Sequence, residues 1–317
     1  MTTLKRRKLG LTLNEPESAG GYTLYAPQTG NGKVVLLNIM GQVVHEWNLP
    51  TRPGRDAVIL PNGNLGYSGC MKAFPDLYPA FELWHGGWFM EVTPSGDVIW
   101  DHEDSYHHHD VQWLDNGNIL YTVASPIPVK SGKGLFNSKV PLEFQQRPFS
   151  DTIREVNRDG EVVWEWNAWE HLSIEDYPIH ECFNSDNYKE RLHWPMINGV
   201  HQHGNLIYLS LRTTSGIIAV DKTTKKVVWE LKYPLVAQQH CPTITDKGLM
   251  CFDNGNIRPS SIHHSRIVEY DLETKKLVWS YMDDMPPSFF SPYMGSVQKL
   301  WNGNVFICES AFGRLFE

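Results

Sequence analysis

The chain has 317 residues, 41% of them hydrophobic, and a formal net charge of −8, enough to bury a large core in one or two domains. The acidic balance argues against a nucleic-acid partner, since only the run Lys5, Arg6, Arg7, Lys8 could offset phosphate repulsion. No apolar run of roughly 18 residues is present, so no membrane span is expected.

Residues 1–20 read as an N-terminal extension that carries charge but no apolar signal core. Gly21–Ala26 then reads as an outlying strand. Beyond it, one phrase recurs: a short strand, a turn, and a second strand holding tryptophan. Its copies are 41–47, 96–101, 160–166, 225–231 and 275–281. A second phrase, Asn-Gly-Asn between apolar runs, is verbatim at 62–64, 116–118 and 302–304, with degenerate copies at 203–205 and 247–248. Asn-Gly between such runs predicts a hairpin, because the turn needs residues that tolerate positive φ.

Two hairpins per repeat make a four-stranded antiparallel sheet, and repeats of 45–85 residues suit propeller blades. The expected fold is all-β, a six-bladed β-propeller spanning 21–317, with the last blade completed by the N-terminal strand. Two insertions, about 125–150 and 166–195, interrupt the repeats and are expected to cover a site at one mouth. The second is placed between the two hairpins of blade three. Cys70, Cys182, Cys241, Cys251 and Cys308 are odd in number and form no CxxC pair; reduced thiols in a cytoplasmic protein fit best.

Counting back seven residues from each turn aligns the blades. The occupants are Arg55, His109, Met196, His240 and Gly295, followed one place later by Asp56, Asp110, Ile197, Cys241 and Ser296. The first strand of each propeller blade lines the channel, so these residues should ring one mouth. His109 and His240 in the same register point to function. His107 reads as a satisfied core histidine, and His85, His263 and His264 as loop residues. Asp110 is expected to tie strand ends together, since Asp56 repeats it. Arg212 ends a strand and could bind an anion through a bidentate contact. The stretch 252–256 is a turn just after the His240 strand.

These phrases carry a resemblance. Gly21–Pro27, His108–Asp110, Ser210–Arg212, Gln239–His240 and Phe252–Gly255, taken in order, resemble the arylsulfotransferase family of six-bladed propellers. The resemblance implies sulfuryl transfer between phenols through a covalent sulfohistidine, with no nucleotide donor and no metal or other cofactor. It implies that His240 is the nucleophile, that His109 and Arg212 assist it, and that Asn198 contacts substrate. Arg55, Asn254 and His108 are further candidates for holding a small aromatic or anionic substrate. At Met196 the chain departs from the family, which has histidine there.

Two other readings stand beside this one. Histidines converging on the axis could hold a divalent metal for a hydrolase or lyase, with Met196 suiting a soft ion. Alternatively, the ring could bind an anion or partner without catalysis.

Overall fold

The computed structural model describes residues 9–75, 77, 81–127, 149–180, 193–260 and 262–317. Six antiparallel sheets follow one another along the chain. The first comprises β1 (Tyr22–Tyr25), β2 (Lys33–Asn38) and β3 (Val43–Asn48). The second comprises β4 (Pro53–Ile59), β5 (Leu65–Cys70), β6 (Gly87–Val92) and β7 (Val98–Glu103). The third has β8 (His107–Trp113), β9 (Ile119–Pro126), β10 (Phe149–Val156) and β11 (Val162–Asn167). In the fourth are β12 (Ile197–His203), β13 (Leu206–Leu211), β14 (Gly216–Asp221) and β15 (Val227–Lys232). The fifth holds β16 (His240–Ile244), β17 (Leu249–Asp253), β18 (Arg266–Tyr270) and β19 (Leu277–Tyr281). The last is β20 (Ser296–Lys299), β21 (Val305–Glu309) and β22 (Arg314–Phe316). The protein is a six-bladed β-propeller, as the repeats predict.

Two details differ from the sequence reading. Strand β1 pairs with β2, Tyr22 opposite Asn38, and does not add to the last blade. Instead the segment before β1 reaches that blade: Trp301 Nε1 donates to Ala19 O at 3.1 Å and Asn304 Nδ2 to Glu17 O at 2.9 Å. The second insertion joins β11 of one blade to β12 of the next and does not divide a blade. Residues 128–148 and 181–192 of the two insertions lie outside the described residues.

Each recurring phrase has a physical task. In the Asn-Gly-Asn loop, Gly63 donates its N–H to Leu60 O and takes φ +85°. This is a type I turn closed by a left-handed glycine, longer than the two-residue turn that Asn-Gly suggests. The first Asn caps the loop, Asn64 N–H donating to Asn62 Oδ1 at 3.0 Å. Both amides donate to Glu91 on β6, at 2.8 and 2.7 Å. Asn116 and Asn118 hold Glu155 likewise. The next blade supplies the counter-charge, Arg158 to Glu91 and Lys222 to Glu155. Buried carboxylates are tolerable here because each is both hydrogen-bonded and paired.

The tryptophans join blade to blade. Trp47 Nε1 donates to Thr93 O, Trp100 to Arg158 O, Trp164 to Lys222 O and Trp229 to Leu272 O, at 2.7–3.0 Å. Trp100→Phe keeps most of the apolar contact and removes one such bond, so a loss of about 1 kcal/mol is expected by urea denaturation. An unchanged midpoint would mean that the bond contributes nothing.

Candidate functional site

The inner strands are bulged where the register residues fall. Pairing slips between Pro53 and Ala57, His107 and Val111, Ile197 and Gly199, and His240 and Thr243. His109, Met196 and Cys241 have φ of 62°, 59° and 54°, values that residues with a Cβ rarely adopt. A bulge re-aims side chains, and here it recurs at one level of four blades. At Gly295 (φ +124°) a Cβ would sit 2.7 Å from the Phe252 ring. Glycine occupies that register position to admit the ring.

His240 has a fixed tautomer. Asn254 Nδ2 donates to Ser291 O and to Met294 O, both at 2.7 Å. Its Oδ1 must therefore accept, and the atom 2.7 Å away is His240 Nδ1. Nδ1 thus carries a proton, so in the neutral imidazole the lone pair is on Nε2. The rest of the 252–256 turn locks this pair in place. Asp253, fully buried, binds Arg258 at 3.1 Å, Arg266 at 2.7 Å and Ala237 N–H at 2.8 Å. Asn256 reaches Gln238 Oε1 at 2.7 Å. The turn is thus a positioning device.

Asn198, on β12, donates to Gln239 O at 2.9 Å and so touches the residue before His240. Its Oδ1 is buried and has no hydrogen-bond partner among the described residues. Gln239 is fixed by Ser210 Oγ and Gly216 O. Arg212 follows β13 and is buried; its N–H donates to Met196 O at 3.0 Å. Met196 is buried with 1% exposure. Arg55 lies in β4, and its side chain is outside the described residues.

His109 and His240 stand on β8 and β16, with the inner strand β12 between them. His109 stacks on Trp84, ring centroids 5.2 Å apart, and its Nδ1 lies 2.7 Å from His108 Nδ1. His108 faces Asp151, Nε2 to Oδ1 3.1 Å, and His193 Nε2 meets the same oxygen at 2.9 Å. Burial alone would raise the Asp151 carboxyl, but the imidazoles of His193 and His108 outweigh it and hold it at about 2. Sequence reasoning singled out neither His193 nor Asp151. The available signal was an acidic residue at a buried position of β10. His107 is a core residue as expected: Nδ1 meets Thr122 O at 2.9 Å, and burial, with His108 nearby, holds it down at about 3.

Asp110 ties strands, accepting Val200 N–H at 2.7 Å. Burial lifts it to about 7, helped by the Asp56 charge, and burial lifts Asp56 to about 6. Burial, with Asp110 and Asp56 also contributing, pushes the Cys241 thiol up to about 11. At neutral pH that thiol stays protonated, so it does not compete with its neighbour His240 as a nucleophile. The raised carboxyls carry a stability consequence. Between about pH 4 and 6 the folded state keeps a proton on Asp56 that the unfolded state has lost, so stability falls as pH rises through that window. Asp56→Asn should therefore be more stable than the parent at pH 8 by about 3 kcal/mol, the difference largely vanishing near pH 4. Urea denaturation at both pH values checks this; a difference independent of pH would contradict it.

Bulged inner strands that carry a histidine held by Asn254, with a buried asparagine bonded to the residue before it, define a propeller with a buried polar cluster on its inner strands. The chain belongs to the arylsulfotransferase family: the family model described as Arylsulfotransferase (ASST) matches residues 20–235 and 232–315. No curated protein matches the sequence. Among solved structures it is similar to a protein of unknown function from Bacteroides caccae, at 14% identity and TM-score 0.55, over 92% of this chain and 83% of that one. It is also similar to BamB from Moraxella catarrhalis, at 11% identity and TM-score 0.42, over 94% and 72% of the two chains.

Proposed function

We propose that this chain is an arylsulfotransferase-like enzyme that moves a sulfuryl group from an aryl sulfate to a phenolic acceptor through His240. The observation that carries the reading is the Asn254–His240 hydrogen bond, which leaves the lone pair on Nε2. In the first half-reaction Nε2 attacks sulfur, the N–S bond forms and the S–O(aryl) bond breaks. The phenolate leaves with the electron pair and takes a proton from His109. In the second half the acceptor phenol gives its proton to His109, its oxygen attacks sulfur, and the N–S bond breaks. Arg212 supports the charge on the sulfuryl oxygens. Asn198 Oδ1, buried and without a hydrogen-bond partner among the described residues, holds the O–H of the incoming phenol before His109 takes that proton. With methionine at 196, hydrogen bonding that the family assigns to histidine falls to His109 and Asn198.

The test is intact mass after brief incubation with p-nitrophenyl sulfate, with nitrophenol followed in parallel. A gain of one sulfuryl group and a burst of one phenol per chain are expected. Folded protein that takes up no sulfuryl group and releases no phenol from a panel of aryl sulfates would refute the reading. A metal-dependent hydrolase or lyase is not favoured, because the histidine–carboxylate cluster found among the described residues, His108, Asp151 and His193, is fully buried and offers no open face to a substrate.

A further inference from the structure

We propose that His108, Asp151 and His193 form a buried site for one divalent transition-metal ion, with zinc as the probe of choice. The three ligand atoms lie within 4.8 Å of one another and all three residues are fully buried. Asp151 Oδ1 is 3.1 Å from His108 Nε2 and 2.9 Å from His193 Nε2. Yet among the described residues neither Asp151 oxygen, nor His108 Nε2, has a hydrogen-bond partner of proper geometry. Nitrogen and oxygen atoms this close without a formed hydrogen bond are what ligands of one ion present. Two imidazole nitrogens and one carboxylate suit zinc and its neighbours. The Ser150 carbonyl oxygen, 3.1 Å from His193 Nε2, is a fourth donor at hand. In the competing arrangement His193 Nε2–H donates to that carbonyl. A buried carboxylate then remains without a formed hydrogen bond, which buried ions avoid.

The location explains the purpose. Asp151 lies where the first insertion returns to the propeller, at the start of β10. His193 lies where the second returns, and there Trp194 N–H donates to Phe149 O at 3.0 Å. His108 belongs to the inner strand β8. One ion would staple both insertions to the channel wall. It would also set the neighbouring histidine: with His108 Nε2 on a metal, His108 Nδ1–H must donate to His109 Nδ1, so a neutral His109 carries its proton on Nε2. The proposal stands apart from sulfuryl transfer, since occupancy is read without turnover.

The experiment uses the full chain, produced with zinc and dialysed against metal-free buffer, with metal measured by mass spectrometry. About one zinc per chain is expected, lost in Asp151→Asn and in His193→Gln. A strong chelator should lower the melting temperature of the wild type by several degrees and leave the variants unmoved. Cobalt added to chelated wild type should give visible d–d absorption, a readout that needs no variant to fold. Folded wild type that retains no zinc and gives no cobalt spectrum would overturn the proposal. So would metal that stays bound at the same level in both variants.

Discussion

In His240→Ala, turnover of an aryl sulfate falls by on the order of 10⁴-fold or more, the scale on which removing a nucleophile acts, and no sulfuryl adduct forms. The variant should also lose about 1–3 kcal/mol of stability, because the buried Asn254 Oδ1 loses the N–H it accepts, while Asn254 Nδ2 keeps its two carbonyl acceptors. Asn254→Ala separates nucleophile from support. It leaves the imidazole in place and frees its tautomer, so Nε2 is protonated part of the time. A loss of about 10²-fold in kcat, with KM little changed, follows from that role. Adduct formation undiminished in His240→Ala would move the chemistry to another residue. Equal effects of both substitutions on folding would make the pair structural.

The largest stability effect is expected at Asp253. Asp253→Ala leaves two partly buried guanidinium groups, Arg258 and Arg266, facing each other across the space of the lost carboxylate, and frees the Ala237 N–H. Breaking a buried pair by removing one partner costs about 3–5 kcal/mol, so the urea midpoint should drop sharply. Asp253→Asn keeps the shape and some hydrogen bonds and should cost less. Because Asp253 precedes Asn254, residual activity in the folded fraction should fall as well. A loss below about 1 kcal/mol would mean that water solvates the arginines as well as the carboxylate does.

How the fold was legible is clear from the repeats. Trp100 and Trp164 recur because each must reach a carbonyl of the next blade, and Asn64 and Asn118 because each must hold a buried glutamate. Local phrases with a fixed partner in the neighbouring copy leave a period in the chain. The pairing of β1 was not legible, since a four-residue strand fits either edge equally well until the sheets are assembled. Likewise Asn-Gly announced a hairpin without stating the loop length, which the Gly63 N–H to Leu60 O bond sets.

The sequence by itself determined the propeller, the level of the channel at which His109, Met196 and His240 stand, and the family to which the chain belongs. The propeller and that level follow from spacing within a repeat, which the chain records directly, and the family from the resemblance of its phrases taken in order. Only the tertiary structure decided what those residues can do. The tautomer of His240 depends on carbonyls at Ser291 and Met294, some fifty residues away, and the Cys241 thiol is kept protonated mainly by burial, with carboxylates of two other blades adding to it. The cluster of His108, Asp151 and His193 draws on three segments separated by two insertions. Hydrogen-bond direction and burial arise when distant segments meet, so no local pattern contains them.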